Sequence, residues 1–179
     1  SMVCTLKAIE ETGRRIGVVE TTESDNITLI GGRLDVGVAM SPPLIRAVKE
    51  RLSDNMPAIL DAPPGTSCPV IAAIRETDII LLVTEPTPFG LNDLSLAVEM
   101  VRQLQIPFAV IVNRMGSGDG RIHAFCNKEN IPILMEIPDD RRIAESYSRG
   151  ILMVDALPEY RNLFNQLIEK INMTPPKEN

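Results

Sequence analysis

The residues best placed to do chemistry lie in one short stretch, Ile59-Leu60-Asp61-Ala62-Pro63-Pro64-Gly65-Thr66-Ser67-Cys68-Pro69-Val70. A brief apolar run ends in Asp61, a Pro-Pro-Gly turn follows, and Thr66 to Pro69 reads as a helix start. At the carboxyl end of a parallel strand, the Asp61 carboxylate could hold a Mg²⁺-bound water, because that hard cation prefers oxygen ligands and keeps much of its own hydration. Gly65 has no side chain to obstruct it, so its N–H could approach a phosphate oxygen. The same residues also read as a strand-ending acid and a tight turn that hold nothing. No G-x-x-x-x-G-K-[ST] run occurs in the chain, so it lacks the loop that would cradle the phosphates.

Further candidates follow later apolar runs. Asn113 ends one of them, and its amide donates and accepts together, as reading a base edge requires; it also suits a cap on the loop before Gly116. Pro138-Asp139-Asp140 follows another run. Asp139 is a good N-cap for a helix from Arg141, and a base could lie against the Pro138-Asp139 loop. Cys68 sits just inside a helix start, where the helix dipole favours a thiolate, although cysteine is as often a small buried residue. His123 and Cys126 are one helical turn apart with no further ligand near them in sequence, which reads as a coincidence of surface and core rather than a metal pair.

Alternating strands and helices must position these groups. Strands are predicted over 16–20 and 27–34, with Gly31-Gly32 as a bend, and buried strands over 58–61, 79–84, 108–113 and 133–137. Pro42-Pro43 opens a helix to about Leu52, since proline suits a first turn. Further helices are predicted over 70–76, 91–104, 121–130 and 139–148, the last closed by Gly150. A final helix spans 157–171 with an apolar stripe of Tyr160, Leu163, Phe164, Leu167, Ile168 and Ile171. Runs such as Ile-Ile-Leu-Leu-Val do not alternate, as expected of strands covered on both faces. The fold class is therefore α/β, three-layered, with a mainly parallel sheet.

Bulk composition narrows the function. A 179-residue chain that is 44% hydrophobic can bury a core. A net charge of −6, with no Lys/Arg cluster, argues against nucleic acid as a partner. The apolar runs are too short to span a bilayer, no leader is visible, and the final helix has too few basic residues for a membrane anchor. Three widely spaced cysteines do not make a disulfide framework, so a reducing cytoplasm is expected.

Taken together, the pieces resemble the MinD/ParA/Mrp group of P-loop ATPases, in particular the branch with a ferredoxin domain inserted after its first βα unit. The matching segments are Gly32-Arg33-Leu34 with Met40-Ser41-Pro42-Pro43-Leu44-Ile45-Arg46, Leu60 to Ile71, Leu82-Val83-Thr84-Glu85-Pro86-Thr87, Val112-Asn113-Arg114 and Ile137-Pro138. Cys4-Thr5-Leu6-Lys7-Ala8-Ile9 is similar to the C-P-x-x-A-I that closes a bacterial ferredoxin motif, with Thr5 in place of proline. On this resemblance residues 1–15 are the remnant of the insert, 16–172 the C-terminal part of the nucleotide-binding domain, and 173–179 a disordered tail. The P-loop and most of the ferredoxin would lie upstream.

The resemblance implies that Asp61 is the carboxylate that holds Mg²⁺ through water, Gly65 the γ-phosphate sensor, and Asn113, Pro138 and Asp139 the adenine contacts. ATP, Mg²⁺ and an Fe–S cluster belong to the intact protein, with none held tightly by this chain, which alone should be inactive. Cys4 would be a leftover cluster ligand. The nitrogenase iron protein, a relative of the group, has a cluster-ligating cysteine at the offset of Cys68, but its second cysteine would fall near Val38. Homodimer closure around nucleotide and an Fe–S or redox partner protein are implied as well. Two other functions fit the fold: a non-catalytic interaction module, and an ATP-dependent amide ligase of the cobyrinate-synthase kind.

Overall fold

The two earliest strands pair with each other. β1 (Gly17–Ser24) and β2 (Ile27–Leu34) form an antiparallel hairpin, in register from Gly17 opposite Leu34 to Ser24 opposite Ile27. Gly31 and Gly32 do not bend the chain; they pair with Glu20 and Val19 inside the ladder. The reason lies in packing: a Cβ at Gly32 would come within 3.0 Å of Leu44 and Val48. Both belong to α1 (Pro42–Lys49), which opens on its two prolines as predicted and lies against the hairpin. Its last predicted turn becomes successive short-range bonds, such as Arg51 N–H to the Val48 carbonyl at 3.1 Å.

The strand predicted over 58–61 does not form. This segment has no regular structure and Ile59 is fully exposed. An apolar run becomes a strand only where a neighbouring ladder satisfies its backbone, and no described residue pairs with it. α2 (Cys68–Ile74) then begins two residues before the predicted start.

The later elements are β3 (Ile80–Thr84), α3 (Pro88–Leu104), β4 (Phe108–Met115), α4 (Arg121–Lys128), β5 (Ile133–Pro138), α5 (Arg141–Ser148), α6 (Met153–Ala156) and α7 (Glu159–Asn172). β3, β4 and β5 pair in parallel in that order, with Ile80 beside Phe108 and Val110 beside Ile133. Successive β4 side chains point to opposite faces. Val110 and Val112 pack with Leu94 and Val98 of α3 and Ile122 and Cys126 of α4. Ile111 packs the other way, with Met135 and with Leu167 of α7. Helices thus cover both faces, and the α/β class with a parallel sheet holds.

α3 starts at Pro88, earlier than the predicted Leu91, because the Thr87 hydroxyl accepts the Gly90 N–H at 3.0 Å and proline fills the first helical position. The predicted last helix forms as α7, starting at Glu159 directly after Pro158, and the short α6 before it was not predicted. Ile168 is 57% exposed, so the apolar stripe is narrower than predicted.

The computed structural model describes residues 13–53, 55–116 and 118–173. The chain divides into two compact units between Ala73 and Ile74, within the segment expected as one nucleotide-binding domain. Cys4, most of the 1–15 segment and nearly all of the predicted tail lie outside the described residues. Among the described residues, no helix is long and apolar enough to cross a membrane.

Candidate functional site

Three loops meet where β3, β4 and β5 end, the side of a parallel sheet on which ligands bind. The first follows Thr84, whose buried hydroxyl donates to the Gly90 carbonyl at 3.0 Å. Thr87 N–H returns to the Glu85 carbonyl at 2.8 Å, closing a tight Glu85-Pro86-Thr87 turn. Two glycines press on this turn. A Cβ at Gly90 would overlap the Glu85 carbonyl oxygen, and a Cβ at Gly118 the carbonyl oxygen of Pro86. Gly118→Ala must therefore displace one loop from the other. We expect it to lower stability by about 1–3 kcal/mol, read as a shift of the urea midpoint; an unshifted midpoint would show that these loops are not packed together.

The second loop leaves β4 through a bulge. Val112 lies opposite Glu136 and Met115 opposite Pro138, so β4 carries one residue more than β5 over this stretch. Arg114 takes up the difference with φ +54°. Bulges of this kind re-aim side chains beside binding sites. Asn113, at the bulge, is half-buried, and no described residue hydrogen-bonds its amide.

The third loop is Pro138-Asp139-Asp140. Asp139 N–H bonds the Met115 carbonyl at 2.9 Å, and the Arg114 Nε donates to Asp139 Oδ1 at 3.3 Å. The helix cap predicted for Asp139 is made by its neighbour: Asp140 Oδ1 accepts the Arg142 N–H at 2.9 Å. Asp140 also receives the Arg142 guanidinium and, at 2.9 Å, the Tyr160 hydroxyl. The Arg142 side chain, then its backbone N–H and the Tyr160 hydroxyl, hold the Asp140 carboxyl well below the usual range. Because Asp140 takes the cap, Asp139 stays exposed at the loop surface.

Asn113, Pro138 and Asp139 are thus brought together. Asp61 and Gly65 belong to the other unit. Asp61 is exposed, and no described hydrogen bond or ion pair engages its carboxylate. Gly65 adopts φ +94°, which favours glycine, and a Cβ there would meet nothing within 4 Å. An exposed carboxylate and, four residues on, a glycine with open space at its Cβ position are of the residue types that hydrated Mg²⁺ and a phosphate oxygen require.

Cys68 is a free, exposed thiol and Cys126 a buried one, and burial pushes the Cys126 pKa up. His123 does not pair with Cys126; its Nε2 lies 2.6 Å from Glu136 Oε1. Among the described residues, no group of three His, Cys, Asp or Glu side chains could hold a metal ion. Sequence reasoning missed the role of Arg114. Its place after Asn113 was visible, but no residue type announces a left-handed arginine.

No protein-family model matches the chain. An uncharacterized protein of Methanocaldococcus jannaschii is 32% identical over 161 residues, covering 89% of this chain and 55% of that protein. The iron-sulfur cluster carrier protein of Pyrococcus horikoshii is 25% identical over 73% of this chain and 52% of that one. The chain therefore spans about half the length of the curated relatives it matches. Among solved structures, the cell-division ATPase MinD of Pyrococcus furiosus superposes with a TM-score of 0.68 at 26% identity, over 87% of this chain and 69% of MinD. This chain is a partial-length relative of the MinD-type P-loop ATPases and carries their α/β fold.

Proposed function

We propose that the chain is the base-binding portion of a MinD-type protein that couples ATP to the handling of iron–sulfur clusters, other metallo-cofactors or electrons. The observation that carries this reading is the meeting of Asn113, Pro138 and Asp139 at the carboxyl ends of a parallel sheet. Names of relatives, iron-sulfur cluster carrier proteins of Pyrococcus and Aquifex among them, support the second half. In this reading the cluster is cargo, and Cys68 is the described thiol exposed enough to meet it.

Each residue has a separate task. Asn113 would read the base edge through its open amide, and Pro138 would offer a flat apolar contact. Asp61 would hold the metal's water, and the Gly65 N–H would approach the terminal phosphate. Mg²⁺ supplies charge neutralisation on the phosphates when bound. Loss of the terminal phosphate would release the 61–66 turn and reorient a partner surface, such as a second copy or a redox protein. These 179 residues contain no phosphate cradle, so we expect negligible ATP hydrolysis from them alone.

The test is a titration of the complete gene product with fluorescent mant-ATP, with and without Mg²⁺. Saturable, Mg²⁺-strengthened binding is expected, weaker by orders of magnitude for residues 1–179 alone. Absence of nucleotide binding by the complete product would overturn the reading.

A further inference from the structure

Arg114 sits where the three loops converge. Its Nη1 lies 3.6 Å from Glu85 Oε2, and its Nε donates to Asp139 Oδ1 at 3.3 Å. It therefore ties the end of β4 to the turns after β3 and β5. A non-glycine residue at positive φ is uncommon, and such a conformation persists only where its surroundings impose it. Here the residue lies at the β4 bulge, and its guanidinium stands between two carboxylates.

We propose that Arg114 determines base choice at this site by occupying one oxygen of Asp139. The inference rests on the base-binding reading above. A carboxylate with both oxygens open accepts two adjacent N–H donors. Guanine presents such a pair, its N1–H and its N2 amino group. Adenine presents one exocyclic amino group beside an unprotonated ring nitrogen. With Oδ1 shared with the guanidinium, Asp139 keeps only Oδ2 fully open, which suits the adenine amino group and leaves one guanine donor competing with Arg114 for its oxygen. Rejection then comes from an unmade hydrogen bond rather than from a clash. Arg114 is a positioning residue in this scheme, acting through Asp139.

The experiment compares mant-ATP and mant-GTP binding by the complete gene product in wild type and Arg114→Gly. Glycine accepts φ +54°, so the bulge survives while the guanidinium is lost. The wild type should prefer ATP, and Arg114→Gly should lower that preference about tenfold, mainly through tighter GTP binding. Adding Asp139→Ala should abolish the gain. Should Arg114→Gly not fold by circular dichroism, Arg114→Asn, neutral and tolerant of positive φ, carries the same expectation. Equal loss of affinity for both nucleotides would reduce Arg114 to a structural tie and overturn the inference while leaving the base site in place. A wild type that binds neither nucleotide overturns both readings together.

Discussion

Asp61→Asn in the complete gene product should lower Mg²⁺-dependent ATP turnover by on the order of 10²–10³-fold. The amide keeps the shape of the side chain and removes its charge. Phosphoryl transfer depends on placing the metal and neutralising charge on the transferred group, and an amide is a poor holder of hydrated Mg²⁺. The position also separates chemistry from folding. Asp61 is exposed and no described residue engages its carboxylate, so stability should change by no more than about 0.5 kcal/mol. Phosphate release, measured beside a urea midpoint, checks both halves. Unchanged turnover would remove Asp61 from the site, and a large stability loss would make it a structural acid.

Ile122→Ala should be the most damaging single truncation in residues 74–173. Ile122 is fully buried, enclosed by Leu94, Val98, Val110, Val112, Cys126 and Ile131. Removing its outer carbons loses their burial and leaves a hole that a sheet backed by two helices cannot fill, at a cost of about 2–5 kcal/mol. For a chain of this size that lowers Tm by about 5–15 °C. The sequence provides a local probe, because it has no tryptophan and its two tyrosines, Tyr147 and Tyr160, both lie in this unit. Tyrosine fluorescence during melting should show the shift. An unmoved transition would mean that α4 does not pack on β4 as described.

What was legible in the sequence follows from how each feature is encoded. The strands from Ile80, Phe108 and Ile133 were readable because a strand covered on both faces must be apolar throughout. The segment over 58–61 has the same look, yet a strand also needs a neighbour, and apolar composition carries no information about who pairs with whom. Gly31-Gly32 misled because glycine serves two ends, freedom to bend and absence of bulk, and here Gly32 provides room for Leu44 and Val48. Asp139 and Asp140 are equal candidates for a cap by type, and only the position of Tyr160 and Arg142 decides for Asp140. Asn113, Pro138 and Asp139 were named together through family resemblance alone, and the bulge that brings their loops close was not legible, because a one-residue excess in a ladder depends on the register of two strands. Arg114 was hidden for the same reason.

The central claim is that a purine nucleotide sits against the ends of β4 and β5. Photolabelling of the complete gene product with 8-azido-ATP and Mg²⁺, followed by peptide mapping, tests it most directly. The account predicts that label, competed away by ATP, falls on peptides containing Asn113 to Gly116 or Pro138 to Asp140. Competable label confined to peptides elsewhere in the chain would contradict it.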